Sequence, residues 1–309
     1  MTEQNPKLSI IITTYNRSRI LSEISLPSAL NQISSQKFEI IVVDDCSTDD
    51  TEQIVEEFRK QSNKIRYHKQ EKNKGLAAAR NTGASIALGE YIVFLDDDDM
   101  LVPYVLEIGN ILLDKYSESK AVIGARLILY PEGTTHQQPP ILSDKSLYTT
   151  LDDGFVIRKD VFKEIQYDEE LLTNEDADFG IQFMQKYGYK SVIPVNNVLL
   201  VKSGHKVGAK DSWSSPSERT FLGMERYMKK NLPIYYKHGD NNETEYILRY
   251  MGRLYCQGGK VKKGIPYLWK AFKLKPMHKN FSLLFFALGG SRIFNWYYKQ
   301  YAKASRTKI

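Results

Sequence analysis

The stretch from Tyr91 to Met100 constrains the chain more than any other, because a short apolar run, Ile92-Val93-Phe94-Leu95, ends on four consecutive carboxylates, Asp96 to Asp99. The run is continuous, β-branched and aromatic, the pattern of a strand buried on both faces in a parallel sheet. The acids then fall at its carboxyl end. Four adjacent negative charges repel one another, so either their pKa values rise or a cation sits among them. In an extended segment alternate side chains share a face, which puts Asp96 and Asp98 on one side and Asp97 and Asp99 on the other. Two carboxylates on one side are half of a divalent-metal site. The plain alternative is a solvated acidic turn.

Three similar runs precede it. Lys7 to Ile12 leads into the polar loop Thr13-Thr14-Tyr15-Asn16-Arg17, then into a helix-like stretch around Ile20, Leu21 and Ile24 that Pro27 kinks or restarts. Phe38 to Val43 ends in Asp44-Asp45, with Ser47 or Thr48 as the expected cap of a helix whose apolar face is Ile54, Val55 and Phe58. Ile65 to His68 is a short third strand, and Asn73-Lys74-Gly75 opens a helix through Gly83. Strand and helix alternate four times, which predicts an α/β fold on a mostly parallel, doubly wound sheet. Polar clusters at Thr13/Tyr15, Asp44/Asp45 and Asp96 to Asp99 then share the carboxyl edge, where open α/β sheets bind ligands. No Gly-x-Gly-x-x-Gly follows the first strand and no Gly-Lys-Ser/Thr loop is present, which disfavours nicotinamide dinucleotides and P-loop chemistry.

Further on, Ala121 to Tyr130 reads as strand, Pro131 to Pro140 as a Pro/Gly/Gln-rich loop, Asp153 to Arg158 as strand and Asp160 to Ile165 as a short helix. Glu175, Asp176 and Asp178 open an amphipathic helix, where acids favour the macrodipole, so a structural role is expected of them and a further one of one member. Ile193 to Val201 is a strand, and His205 lies in the basic segment after it. Beyond Ser217 the pattern is helical, with a hairpin of Tyr246–Cys256 and Ile265–Leu274 around Gly258-Gly259. Residues 1–217 are thus expected to form the α/β domain and 218–309 a helical extension. Residues 1–200 carry 21 Lys/Arg against 31 Asp/Glu and residues 201–309 carry 22 against 6, an acidic body with a basic tail. Such a tail suits an anionic partner. Phe281 to Leu288 is too short to span a bilayer, but with Trp296, Tyr297, Tyr298, Tyr301 and several lysines it has the composition of an interfacial membrane helix; a core-packing terminal helix is the rival reading. The polar start of the chain has no signal-peptide pattern, and Cys46 and Cys256 are too few for a disulfide framework, so a reducing, cytoplasmic setting is expected.

Ser9 to Arg17, Ile41 to Ser47, Asn73-Lys74-Gly75 through Arg80-Asn81, and Phe94 to Asp99, in this order, resemble the family 2 glycosyltransferases over roughly residues 7–205. The resemblance implies a glycosyltransferase-A type fold and transfer of a sugar from a nucleoside diphosphate, with UDP the commonest, to a hydroxyl of a saccharide or lipid-linked acceptor, as in bacterial surface polysaccharide or glycolipid assembly. By the same resemblance Thr13, Tyr15 and Asp45 hold the base, Arg80 lies near base and diphosphate, and Asp96-Asp97-Asp98 is the Asp-x-Asp motif. In that motif Asp96 and Asp97 bind the nucleotide, and Asp98 holds Mg²⁺ or Mn²⁺. The family's register is ambiguous here by one residue, since all four positions are Asp. Glu175-Asp176 matches the pair that supplies the catalytic base, assigned to Asp176, with Glu175 on the donor-sugar side. His205 falls where some relatives place a late metal or phosphate ligand.

These residue types suit the chemistry. Charge gathers on the β-phosphate as the sugar leaves, which a divalent cation stabilises, while an alcohol acceptor needs a base on the opposite face. A single displacement of that kind inverts the anomeric centre. Asp153 and Gly154 are expected to line the donor-sugar pocket, Gly154 by allowing close backbone approach. The alternatives are a nucleotide-sugar-binding module without turnover and a nucleotidyltransferase; the latter typically needs a Gly in its first loop, which Thr13 to Arg17 lacks. A response-regulator receiver shares the Asp44-Asp45 pair but ends far earlier. Partners are expected to include an anionic membrane surface, at the inner face of the cell membrane, and no nucleic acid.

Overall fold

The computed structural model describes residues 5–130, 133–140, 142, 151, 154–203, 217–238 and 240–306. The chain divides into two compact units, Met1–Glu170 with Glu175–Gly204, and Leu171–Asn174 with His205–Ile309. The first contains β1 (Leu8–Thr14), α1 (Ser18–Ile20), α2 (Leu26–Leu30), β2 (Phe38–Asp44), α3 (Thr51–Gln61), β3 (Ile65–Lys69), α4 (Leu76–Ile86), β4 (Tyr91–Asp96), β5 (Met100–Leu101), α5 (Val105–Lys115), β6 (Ala121–Leu129), β7 (Thr135–Gln138), β8 (Val156–Arg158), α6 (Glu175–Tyr187) and β9 (Val192–Ser203).

The strands form one sheet in the order β3-β2-β1-β4-β8-β6-β9-β5, with β7 paired to β6. The first four are parallel, as the strand–helix alternation predicts, and the register sets Thr13 beside Val43 on one side and Asp96 on the other. β8 then enters antiparallel between β4 and β6, and β6 and β9 run parallel. Alternation of side chains divides the core into two layers. Ile10, Ile12, Val93 and Leu95 pack with Leu26, Val55, Leu106 and Leu113 on one face. Ile11, Ile41, Ile92 and Phe94 pack with Ala77, Ala84, Phe179 and Phe183 on the other. Each fully buried aliphatic side chain contributes roughly 1.5–3 kcal/mol, so both layers anchor the sheet firmly beneath its polar carboxyl edge. Gly83 keeps α4 close to β1, since a Cβ there would lie 2.3 Å from Ile11 Cγ2.

Several local expectations change. Pro27 sits in the first turn of α2, and the residues before it, Leu21–Ser25, widen into a π turn. That extra residue accommodates a ring that has no N–H to donate. Ser47 and Thr48 do not cap α3; Asp49 does the work, its Oδ1 accepting from Thr51 N at 3.2 Å and Thr51 Oγ1 at 2.5 Å. Ser47 and Thr48 instead meet Asn16, whose N donates to Ser47 Oγ at 2.8 Å and whose Oδ1 accepts from Thr48 N at 2.7 Å. Within the stretch expected to be loop, Thr135–Gln138 forms an edge strand on β6, its polar side chains giving no apolar signal.

The second unit is helical: α7 (Glu218–His238), α8 (Asn241–Gln257), α9 (Val261–Leu274), α10 (His278–Leu288) and α11 (Gly290–Arg306). α8 and α9 form the expected hairpin, turning at Gly259 with φ +81°. Their close approach needs Gly264, where a Cβ would meet Cys256 Sγ at 2.6 Å. Cys256, Leu268, Leu283, Ala287 and Phe294 make the core of this end. Among the described residues no helix is long and apolar enough to cross a membrane.

Candidate functional site

Asp96 ends β4, and the chain turns through Asp97 and Asp98, a turn closed by Asp99 N donating to Asp96 O at 3.2 Å. The two-and-two division expected from strand geometry survives in burial but not in pairing, since one Arg17 nitrogen meets both Asp97 and Asp98. Each carboxylate is turned toward a basic side chain. Asp96 Oδ1 accepts from Arg80 Nη2 at 2.8 Å. Asp97 and Asp98 share Arg17 Nη1, at 2.6 Å and 3.0 Å. Asp99, buried, meets Lys202 Nζ at 3.2 Å and the backbone N of Ser203 at 2.8 Å. Burial still pushes the Asp97 pKa up to about 6, against the pull of Arg17 and of Thr14 Oγ1, which donates to Asp97 at 2.8 Å. Burial, more than the neighbouring carboxylates, raises Asp97, and the basic groups that meet the run come from the loop after β1, from α4 and from β9.

The burial pattern orders the run. Asp97 and Asp99 are buried, whereas Asp96 and Asp98 retain partial exposure. Asp97 is thereby held within the loop by Thr14 and Arg17, and Asp96 and Asp98 are the acids left partly accessible.

Arg80 is the hub. It lies on the inner side of α4 at 2% exposure, reaches Asp96 with one nitrogen and Glu175 Oε1 with the other at 3.2 Å, and stands over the Tyr167 ring at 5.3 Å. Burial opposes its charge, but Asp96, with Tyr167, Glu175 and Asp176 around it, raises its pKa well above the usual arginine range. Arg80 Nε has no hydrogen-bond partner.

Glu175, Phe179 and Phe183 are spaced four apart, so they share the inner face of α6. Phe179 stacks on Tyr167 with ring centroids 4.4 Å apart, and Tyr167 meets Phe94 of β4 edge-on at 5.6 Å. This aromatic contact fixes the first turn of α6 against the acidic end of β4. Burial, with Asp176 alongside, pushes the Glu175 pKa up to about 7 despite Arg80. Asp176, one position around the helix, is only half-buried, and its Oδ1 accepts from Ala177 N at 2.7 Å. Asp178 is fully buried and accepts from Gln182 Nε2 at 2.7 Å, a structural role.

Because the raised pKa favours the protonated Glu175 in the folded state, its contribution to stability is fullest below pH about 4.5 and is lost as pH rises through about 7. Glu175→Gln removes that loss. Its melting temperature relative to the parent is therefore expected to rise between pH 5 and pH 8, by the equivalent of roughly 2 kcal/mol, as read by calorimetry across that range. A difference that stays flat or falls would refute it.

The other expected residues divide. Thr13 is buried at the end of β1, and Tyr15 is exposed just beyond it. Asp45 turns onto the loop before α4: its Oδ1 accepts from Lys74 N at 2.8 Å and Gln70 Nε2 at 2.9 Å, its Oδ2 from Gly75 N at 2.7 Å. It thereby shapes the entry to the helix that carries Arg80. Gly154 is needed for a reason other than room for a ligand: its φ is +67°, and a Cβ would lie 2.7 Å from Leu200 Cβ. Asp153 and His205 lie outside the described residues. Arg17, Lys202 and Tyr167, which complete the network, were not singled out by the sequence; the only local signal was that four acids demand basic partners.

Among the described residues no three or more His, Cys, Asp or Glu side chains gather as a metal site. The outer pair, Asp96 and Asp98, offers hard oxygen donors of the kind a divalent ion accepts when phosphate oxygens supply the rest of its shell.

The profile described as "Glycosyl transferase family 2" matches residues 9–190. The poly(ribitol-phosphate) beta-N-acetylglucosaminyltransferase TarS of Staphylococcus aureus (strain MW2) is 30% identical over 185 residues, 57% of this chain and 32% of TarS. The GalNAc(5)-diNAcBac-PP-undecaprenol beta-1,3-glucosyltransferase of Campylobacter jejuni subsp. jejuni serotype O:2 is 31% identical over 185 residues, 55% of this chain and 57% of that protein. The chain spans about a third to two thirds of the length of the curated relatives it matches. The crystal structure of S. aureus TarS 1-349 in complex with UDP-GlcNAc shares the fold, with TM-score 0.60 at 22% identity over 96% of this chain and 92% of that one. Since the family profile takes in well over half of its length, this chain belongs to glycosyl transferase family 2.

Proposed function

We propose that this chain is a metal-dependent, inverting glycosyltransferase that moves a sugar from a nucleoside diphosphate, UDP by preference, to a hydroxyl of a saccharide or lipid-linked acceptor in bacterial surface polysaccharide or glycolipid assembly. The observation that carries the reading is Arg80, which ties the acidic turn after β4 to the Glu175-Asp176 turn of α6 through one buried guanidinium. Donor-binding and base-bearing elements are thereby held at a fixed separation, as a reaction in one displacement requires. The names of relatives support the substrate class: one is crystallised with UDP-GlcNAc, and another is named for a polyprenol-diphosphate-linked saccharide.

In this account Thr13, Tyr15 and the loop shaped by Asp45 receive the base, and Asp96 the ribose. Asp98, with His205 as a further proposed ligand, would hold Mg²⁺ or Mn²⁺, which would supply Lewis-acid stabilisation of the charge that gathers on the β-phosphate. Asp176 accepts the proton of the acceptor hydroxyl as its oxygen forms the new bond to the anomeric carbon and the bond to the phosphate oxygen breaks. Glu175, drawn inward by Arg80, stands on the donor-sugar side with Gly154 and Asp153. One displacement inverts the anomeric configuration.

Thermal melting against a panel of nucleotide sugars, with and without Mn²⁺, tests the reading. A ligand present at a hundred times its Kd adds about 2.7 kcal/mol to stability, so a UDP-sugar with Mn²⁺ is expected to raise the melting temperature by several degrees. A flat response to every nucleotide sugar in both conditions would contradict the proposal.

A further inference from the structure

The helices of the second unit carry a face that its own core does not use. In α10, Leu283 and Ala287 point into the core, while Phe281 and Phe285, equally four apart, point out at 52% and 58% exposure. Ring contacts link the exposed rings across three helices through Phe272 and Phe286, which are partly buried, Phe286 also packing against the core. Trp269 and Phe272 of α9 are 5.8 Å apart, Phe272 and Phe281 6.1 Å, Phe281 and Phe285 6.1 Å, Phe285 and Phe286 5.5 Å, and Phe286 and Trp296 of α11 6.5 Å. All fall within ring-contact range, so they form one ridge. Trp296 is 61% exposed. The core-packing reading is therefore realised on one side of these helices, while the other side carries the exposed rings.

Charge identifies the occupant. Residues 261–306 hold ten Lys/Arg and not one Asp or Glu. Lys270, Lys273, Arg292 and Lys299 are exposed, and Lys273 Nζ stands 5.2 Å from the centre of the Trp269 ring. A contiguous exposed apolar patch marks a contact surface. Trp and Phe rings among lysines, with acids absent, fit the boundary of an anionic bilayer, where rings enter the headgroup region and ammonium groups pair with lipid phosphates. None of the three helices has the length and apolarity to cross the bilayer, so the contact is made from the side.

We propose that the outer face of α9, α10 and α11 docks on an anionic lipid bilayer. The inference is independent of the transferase reading, since it uses neither the acidic turn nor Asp176.

Sedimentation of the full chain with vesicles of phosphatidylcholine, with and without phosphatidylglycerol, tests it. Binding is expected to the anionic vesicles only and to weaken as salt is raised. Phe285→Ser with Trp296→Ser is expected to weaken binding at least tenfold, and Lys270→Glu with Lys273→Glu at least about 25-fold, at about fivefold or more for each of the two charges reversed. All four side chains are exposed, so melting temperatures should match the parent; if they do not, the parent's preference between the two vesicle types still decides. Equal binding to neutral and anionic vesicles, no binding to either, or binding unchanged in both variants would overturn the proposal. So would a dimer in sedimentation equilibrium that Phe285→Ser dissolves, which would make the ridge a contact between two copies.

Discussion

Asp176→Asn is expected to lower sugar transfer on the order of a thousandfold while leaving nucleotide-sugar binding within a few fold of the parent. The size follows from the role: a positioned general base contributes roughly 10²–10⁴ in rate, and an amide of the same shape cannot take the proton. The selectivity follows from geometry. Arg80 contacts Asp96 and Glu175, and Asp176 is the half-buried neighbour on the next position of α6. Its substitution leaves that bridge and the Phe179–Tyr167 stack in place. Nucleoside diphosphate release in the presence of acceptor measures the first effect and calorimetric titration with donor measures the second. Full turnover in the variant would move the base elsewhere, with Glu175, its pKa raised to about 7 by burial, the first alternative.

Arg80→Met is expected to be the most destabilising single change at the site. Removing one partner of a buried ionic cluster costs about 3–5 kcal/mol, because the remaining charges lose their counter-ion and cannot regain water. For a chain of this size that corresponds to a fall in melting temperature of roughly 10 °C. Glu175, already displaced upward, should take up a proton in this variant, so adding Glu175→Gln to Arg80→Met should restore part of the loss, a coupling that a double-mutant cycle measures. Additive effects of the two substitutions would show that the pair does not interact as described. Donor affinity should fall with Arg80→Met as well, since Asp96 is no longer held.

The sheet was legible where strands are buried on both faces. Every residue of β1 and β2 is buried, and their apolar runs Ile10-Ile11-Ile12 and Ile40-Ile41-Val42-Val43 end sharply at Thr13 and Asp44. β7 was not legible, because Thr135–Gln138 pairs along only one edge and all four of its side chains are polar, two of them exposed and two only partly buried. The helix Val105–Lys115 was likewise not among the expected elements, although Leu106, Gly109 and Leu113 line its inner face. At the site, the acids were visible because they cluster in sequence. Of their basic partners only Arg80 was singled out; Arg17 and Lys202 were not, because they reach the acids from the loop after β1 and from β9, which only the fold brings together. The strand rule failed for the pairing of Asp97 and Asp98 because the chain turns there, and that turn is what lets Arg17 hold them together.

A crystal structure of the protein soaked with Mn²⁺ and a UDP-sugar tests the central claim most directly. The account predicts an ion bound by Asp98 and the β-phosphate, with Asp96 on the ribose and the Asp176 carboxylate facing the anomeric carbon from the side opposite the phosphate. A nucleotide bound away from the carboxyl edge of β1, β2 and β4, or an Asp176 carboxylate on the same side of the sugar as the diphosphate, would contradict it.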